Sequence, residues 1–289
     1  MTLQASEFIQ NSDGSIYHLN LLPEHLANTI ITVGDQDRVQ AVTKYFDTID
    51  VKIQKREFHT QTGTYKGKRI SVVSTGIGTD NIDIVFNELD ALVNIDFKTR
   101  MVKEELTSLE IIRIGTSGAI QPEIPVDAFL VSQAGIGFDS MLHFYDTKDV
   151  QDREFASALV RDLQYSPNKG IPYVVSCDKD LAAIFSDGFH KGVTLTNCGF
   201  YGPQGRVLRL ALQDAHLNDK IAAFNYKGQK ITNLEMETAG MYGLAKLMGH
   251  RSVSLNAIIA NRATGEFTSD SKKTVDLLIR ATLEKIASK

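Results

Sequence analysis

Arg113-Ile114-Gly115-Thr116-Ser117-Gly118-Ala119-Ile120-Gln121-Pro122 follows directly on an apolar run that begins at Leu109. The run from Leu109 to Ile114 predicts a buried strand, yet it carries an arginine near its end. A buried guanidinium has to meet an anion or a carboxylate. The Gly, Thr and Ser residues that follow supply backbone N–H groups and hydroxyls, which suit an oxyanion or phosphate. From this segment alone, a buried ion pair and an anion site remain equally open. Two distant segments bear on the choice: Gly34-Asp35-Gln36-Asp37-Arg38 and Asn233-Leu234-Glu235-Met236-Glu237.

Working outward from this strand, residues 1–17 read as a polar arm. Strands are expected at 28–33, 51–64, 68–74, 128–135, 173–176, 193–197, 231–235 and 252–260, with a hairpin turn at Tyr65-Lys66-Gly67-Lys68. Helical spacing covers 37–46, 81–92 (with Asp80 as its cap), 154–163, 238–248 and 272–288. A solvated helical extension is expected at 98–105 and a surface helix between 208 and 224. Strands alternate with helices, and no linker, repeat or low-complexity tract interrupts them. The pattern predicts one α/β domain over 1–289, a mixed central β-sheet flanked by helices on both faces. Ligands of such folds sit in loops beyond strand ends, where all three segments fall.

The 289 residues are 43% hydrophobic and 23% charged, ordinary for a globular protein with a sizeable core. A formal charge of −4 gives no electrostatic case for nucleic acid or an anionic membrane, so an anion site has to be a local arginine cluster. No run is apolar enough to span a bilayer, and the first residues show no targeting pattern. Cys177 and Cys198 read as reduced thiols, which with the rest sets the expectation of a cytoplasmic protein. The seven histidines show no metal-ligand spacing, so neither a metal nor a cofactor is expected.

Gly34 and Arg38 stand at a strand-to-helix junction. Glycine there lets an anion approach the backbone, and Arg38 lies one helical turn on; a turn glycine and a solvated arginine fit the same spacing. Arg56, in a strand-like stretch, reads from position alone as a surface ion-pair residue. Glu235 and Glu237 open a helix, where carboxylates serve as caps; a carboxylate beside a backbone N–H also suits the vicinal diol of a sugar. In the loop Phe200-Tyr201-Gly202-Pro203-Gln204-Gly205-Arg206, the Gln204 amide can match O2 and N3–H of a uracil edge and Arg206 can donate to O4, while an ordinary polar surface loop fits the same residues. Phe200 offers a ring for stacking. There is no P-loop, no complete dinucleotide fingerprint and no nucleophile elbow.

Together, Gly34-Asp35-x-Asp37-Arg38, Arg56-Glu57-Phe58, Ser74-Thr75-Gly76-Ile77-Gly78, Arg113-Ile114-Gly115-Thr116-Ser117-Gly118 and Glu235-Met236-Glu237 occur in an order that resembles the nucleoside phosphorylase family of the uridine and hexameric-type purine enzymes. The resemblance runs from Tyr17 to Arg262, and the 200–206 loop looks like the uracil-recognition loop of the uridine branch. It implies phosphate held by Gly34, Arg38, Arg113 and Thr116, with Arg56 supplied by a neighbouring subunit. It implies ribose held by Met236 and Glu237, with His18 from that neighbour and Tyr17 nearby. The base would meet Phe200, Gln204, Arg206 and Ile259, with Arg262 supporting that side. Arg113, Arg206, Gln204 and Glu237 would carry catalysis. The implied activity is phosphorolysis of uridine, with inorganic phosphate as co-substrate, no cofactor, and a homodimer or a trimer of dimers as the assembly. Thr238-Ala239-Gly240-Met241-Tyr242-Gly243 reads more like the purine branch, but Asn261 stands where purine enzymes carry a proton-donating aspartate. A purine phosphorylase is the alternative. A hydrolytic nucleosidase and a non-catalytic relative follow it, the former having no use for three phosphate-binding arginines.

Overall fold

The computed structural model of the chain describes residues 2–147 and 149–289. In chain order its elements are β1 (Thr29–Val33), α1 (Gln36–Thr43), β2 (Thr48–Lys55), β3 (Phe58–Tyr65), β4 (Lys68–Ser74), α2 (Thr79–Asn94), β5 (Ile95–Asp96), β6 (Met101–Val102) and β7 (Glu110–Ala119). There follow β8 (Phe129–Gly137), α3 (Arg153–Asp162), β9 (Tyr173–Ser176), α4 (Lys179–Ile184), β10 (His190–Thr196), α5 (Leu217–Ala223) and β11 (Asn225–Tyr226). The last are β12 (Gln229–Glu235), α6 (Thr238–Leu247), β13 (Arg251–Asn261), β14 (Glu266–Phe267) and α7 (Ser271–Ala287). The main sheet runs β11-β12-β10-β8-β13-β7-β1-β4-β3-β2. It is mixed: β7 pairs parallel with both β1 and β13, while β13 pairs antiparallel with β8.

The apolar run read from Leu109 becomes β7, and its two-sided burial explains the absence of alternation. Ile31 and Val253 lie opposite Ile112 on the two neighbouring strands. The far end of β7 turns to a further partner: Gly118 and Ala119 pair antiparallel with Leu234 and Asn233 of β12. Strands β12, β10, β8, β13 and β7 therefore close on themselves, bringing the end of β7 beside the end of β12. Asn233 fastens the seam, its Nδ2 donating to Ser117 Oγ (2.9 Å) and its Oδ1 accepting from Thr194 and Thr232 (both 2.9 Å).

One large apolar cluster joins the sheet to α1, α2, α4, α6 and α7, and a second joins it to α3 and α5. Tyr242 of α6 lies fully inside, donating to the Ser132 carbonyl (2.6 Å) and accepting from the Ser254 amide (2.8 Å), so both polar demands of its hydroxyl are met. Where α6 crosses β8, Gly135 makes the approach possible. A Cβ there would lie 2.7 Å from Ala239 Cα and 2.9 Å from Ala239 N.

The structure departs from the sequence reading in identifiable places. The expected strand 51–64 is two strands, broken by a two-residue turn at Arg56-Glu57 in which Arg56 has φ +56°. The 98–105 stretch is a turn and a short strand rather than a helix. Asp96 Oδ1 accepts the Lys98 and Thr99 amides (2.9 and 2.7 Å), competing with helical pairing there. The surface helix starts only at Leu217, after an irregular segment in which Val207, Leu208 and Leu210 are exposed. Helix α2 starts at Thr79 with Gly78 at its cap, so Asp80 lies in its first turn. The arm is docked: Phe8 and Ile16 are buried, and Arg100 donates to the Leu3 and Gln4 carbonyls (3.0 and 2.9 Å). The hairpin at 65–68 is as expected, with Lys66 and Gly67 at φ +48° and +77°, the left-handed pair that a tight two-residue turn requires.

Gly135→Ala tests the close crossing of α6 over β8. Its methyl group meets backbone that cannot rotate away, so the denaturation midpoint should fall, with a loss of about 1–3 kcal/mol. An unchanged midpoint would show that α6 is free to shift.

Candidate active site

The closure of β7 against β12 leaves a cavity of about 680 Å³ beyond the strand ends. Gly34 and Arg38 enter it from the β1–α1 junction, and Arg113 and Thr116 from β7. Met236 and Glu237 come from the β12–α6 junction, Ile259 from β13, and Phe200, Gln204 and Arg206 from the loop after β10. The segments singled out in the sequence thus line one space.

Arg113 is buried and its Nη2 donates to Glu237 Oε2, with Glu235 Oε2 at 3.5 Å. The side chain lies flat over Gly115, two residues on along the same strand face. A Cβ at Gly115 would stand 1.7 Å from Arg113 Nη1. Burial works against the charged guanidinium, but the Glu237 and Glu235 carboxylates outweigh it and hold its pKa above the ordinary value. Burial raises the Glu237 carboxyl even so. Its Oε1 accepts the Gly78 amide (2.8 Å), which ties it to the start of α2. Glu235 is the anchor beneath, its carboxylate accepting from Thr196 Oγ1 (2.6 Å), the Glu237 amide (2.9 Å) and the Thr238 amide (2.9 Å). The parallel register of β10 and β12 sets Thr196 directly opposite Glu235.

The ion-pair reading of Arg113 is therefore realised, but it uses only part of the guanidinium. Nη1 is buried without a partner among the described residues. Arg38 lines the same cavity, its Nη1 donating to the Ile114 carbonyl at 3.4 Å. Burial, and then the Arg113 charge, lower the Arg38 pKa. Two guanidinium groups on one cavity, near enough for one charge to bear on the other, favour an anion there.

On the opposite side, the 200–206 loop is already organised. Arg206 lies 3.8 Å from the centre of the Phe200 ring and donates to the Phe200 carbonyl (2.6 Å) and to Gln204 Oε1. One face of Phe200 is thus covered by Arg206, and Gln204 Oε1 is engaged. Arg262 does not line the cavity. It donates to the Gln204 and Gly205 carbonyls (the latter at 3.3 Å), and Asn218 Nδ2 adds a 3.0 Å bond to the former, so the loop is clamped from behind.

Three other placements matter. His18 lies outside the cavity, its Nδ1 held by Glu88 at 2.7 Å while the same carboxylate accepts the His18 and Leu19 amides. Arg56 is exposed at its hairpin tip, 5.6 Å from the Tyr17 ring centre, although its neighbour Glu57 does line the cavity. Asn261 is buried away from the cavity. Its Nδ2 donates to the Gln121 and Ile124 carbonyls (3.0 and 2.8 Å), and its Oδ1 accepts the Ala263 and Thr264 amides (2.8 and 3.2 Å). The sequence reading missed Phe267, an isolated aromatic in a polar stretch that reaches the cavity through a two-residue strand. It also missed Thr196, whose importance comes from cross-strand register.

Residues 28–288 match the model of a family described as the phosphorylase superfamily. A uridine phosphorylase of Thermococcus kodakarensis is 29% identical over 283 residues, covering 95% of this chain and 87% of that protein. One from Escherichia coli is 30% identical over 267 residues, covering 88% and 89%. DeoD-type purine nucleoside phosphorylases of Listeria monocytogenes are similar at 26% identity over 89% of the chain and 91% of theirs. Among solved structures, a Trypanosoma brucei nucleoside phosphorylase described as showing uridine phosphorylase activity superposes with a TM-score of 0.86 at 25% identity, covering 98% of this chain and 100% of that one.

The two arginines predict oxyanion binding in the absence of any other ligand. Phosphate at about a hundred times its dissociation constant should stabilise the fold by about 2.7 kcal/mol. It should raise the melting temperature against chloride of equal ionic strength, and Arg38→Ala should lose most of that rise. A melting temperature indifferent to phosphate would overturn the anion reading.

Proposed function

We propose that this chain, a member of the phosphorylase superfamily, catalyses the phosphorolysis of uridine to uracil and ribose 1-phosphate. The single observation that carries this reading is the arginine pair Arg38 and Arg113 in one cavity with Glu237 on one side and Gln204 with Arg206 on the other. The names and likeness of the relatives support it.

In this reading, phosphate is held by Arg38, Arg113, the Thr116 hydroxyl and the Gly34 backbone. Met236 and Glu237 take the ribose, whose vicinal hydroxyls suit the fixed carboxylate. Gln204 and Arg206 take the base, Ile259 its apolar edge and Phe200 its remaining face. Cleavage of the glycosidic bond builds positive charge on the ribose and negative charge on the departing uracil. Phosphate beneath the sugar stabilises the first and then bonds to C1′. Arg206 turns from the Gln204 oxygen toward uracil O4 and stabilises the second. Arg262 and Asn218, by gripping the Gln204 carbonyl, keep the loop rigid while that exchange occurs. Neither a covalent enzyme intermediate nor a resident cofactor is required.

Arg56 and His18 complete the site of a neighbouring subunit, so a homodimer is the smallest active unit and a trimer of dimers its larger form. The position of Arg56 at an exposed hairpin tip beside the cavity supports this, as does Glu88, which fixes His18 Nδ1 and leaves Nε2 for a ribose hydroxyl. The enzyme acts in the cytoplasm on small molecules, with no nucleic acid or membrane partner; no helix among the described residues is long and apolar enough to cross a membrane.

Uridine should be consumed only when phosphate is present, and uracil and ribose 1-phosphate should form in equal amounts. Equal rates in phosphate-free buffer would make the protein a hydrolase. Cytidine should be poorer than uridine by at least about a hundredfold in kcat/KM, because an amino group and a bare N3 each leave a buried polar partner unmatched. Inosine should also be poor, since Asn261 neither faces the cavity nor carries an acidic proton. Efficient inosine cleavage would assign the purine branch.

Mixing inactive Arg38→Ala and Arg56→Ala subunits checks the shared site. One site of each mixed dimer collects both defects and the other collects neither, so activity should return. Continued inactivity after verified subunit exchange would place Arg56 in its own subunit's site or outside the reaction.

A further inference from the structure

Thr196 ends β10, and its backbone is fixed from both sides. Its carbonyl accepts the Phe138 amide (2.9 Å), and the next amide, that of Asn197, donates to the Glu235 carbonyl (2.9 Å). Register sets the residue opposite Glu235, and it lies wholly inside the fold, so water does not compete for its bonds. The direction of those bonds is forced. The Ala239 amide, in the first turn of α6, donates to Thr196 Oγ1 (2.9 Å). The hydroxyl proton is thereby left to point at the acceptor on its other side, Glu235 Oε1, at 2.6 Å.

That bond matters because Arg113 stands within reach of two carboxylates. Its Nη2 donates to Glu237 Oε2, while Glu235 Oε2 lies at 3.5 Å, too far for a good hydrogen bond. Glu235 is kept from closing that gap by its other partners. Its Oε2 accepts the Glu237 and Thr238 amides (both 2.9 Å), and its Oε1 accepts Thr196 and the Thr238 amide, the latter at 3.1 Å. The Thr196 bond is the shortest of these. With a methyl group in place of the hydroxyl, Oε1 would keep only the long Thr238 bond, and the Arg113 guanidinium would be its best remaining partner.

We propose that Thr196 is a positioning residue. By committing Glu235 to the start of α6 it reserves Arg113 for Glu237, and so sets the preference of the site for ribose over 2′-deoxyribose nucleosides. The inference deepens the proposed function and rests on its reading of Glu237 as the carboxylate that takes the ribose hydroxyls. Once Arg113 turns to Glu235, Glu237 Oε2 loses its partner and the carboxylate is held by the Gly78 amide alone. A carboxylate free to swing no longer meets the 2′-hydroxyl at a fixed angle. Uridine loses that contact, whereas 2′-deoxyuridine never makes it.

The test is the ratio of kcat/KM for uridine to that for 2′-deoxyuridine, measured beside the denaturation midpoint. Thr196→Val keeps the branched shape and removes the hydroxyl, and the ratio should fall at least about fivefold, the worth of one ordinary hydrogen bond. Thr196→Ser keeps the hydroxyl and removes a methyl group, and the ratio should hold. The midpoint should fall in both, so lost packing alone does not produce the contrast. If the valine variant does not fold, Thr196→Cys decides, because a thiol fits the same space and is only a weak donor; its ratio should also fall. An unchanged ratio in a folded valine or cysteine variant overturns the positioning role, as does an equal fall in the serine variant. Equal use of the two nucleosides by the unaltered protein also overturns it, since there would be no ribose preference to set. Absence of uridine cleavage by the unaltered protein would instead refute the proposed function, and this inference would fall with it.

Discussion

The contact between Arg113 and Glu237 is the constraint on which the rest of the site depends. It joins the interior of β7 to the second residue beyond β12, segments more than a hundred positions apart in sequence. Breaking a buried pair by removing one member costs about 3–5 kcal/mol, because the other is left charged and unpaired. The fold makes the pair affordable through what surrounds it. Gly115 clears the path of the guanidinium, Glu235 adds a second carboxylate, and the Gly78 amide takes the remaining Glu237 oxygen.

Strand closure and ion pair support one another. The pairing of Gly118 and Ala119 with Leu234 and Asn233 sets the two chain segments in register, and the Asn233 side chain locks the seam. Thr196, opposite Glu235 on the next strand, then orients the carboxylate that caps α6. A cavity wall made this way is rigid at its charged end, while the loop on its other side hangs on hydrogen bonds to backbone carbonyls from Arg262 and Asn218. The two ends are held differently, one by strand pairing and the other by side chains that clamp a loop from behind.

Part of this was legible in the sequence. The buried run at 109–114 announced a central strand, whereas the Gly34, Arg113 and Glu237 segments, each with a plain structural alternative, pointed to a shared site only through their order, which resembles that of the nucleoside phosphorylase family. Cross-strand register is what the sequence hides: Thr196 looks like any strand threonine, and Phe267 like a stray surface aromatic. Local competition was equally hard to read. Asp96 captures the amides that an extension of α2 would have used, and the Arg56-Glu57 turn carries no glycine to mark it. The Arg206–Gln204 contact was invisible for another reason, since it needs the tight turn of the loop to bring two polar side chains together.

Asn261 is locked in place by its surroundings. Its amide is fully committed, donating to two carbonyls and accepting from two amides of the surrounding loops. An aspartate there would keep the acceptor for the Ala263 and Thr264 amides but set a carboxylate oxygen against the Gln121 and Ile124 carbonyls. The turn after β7 would have to be rebuilt before the end of β13 could carry an acid, so one strand end dictates the residue that another may hold.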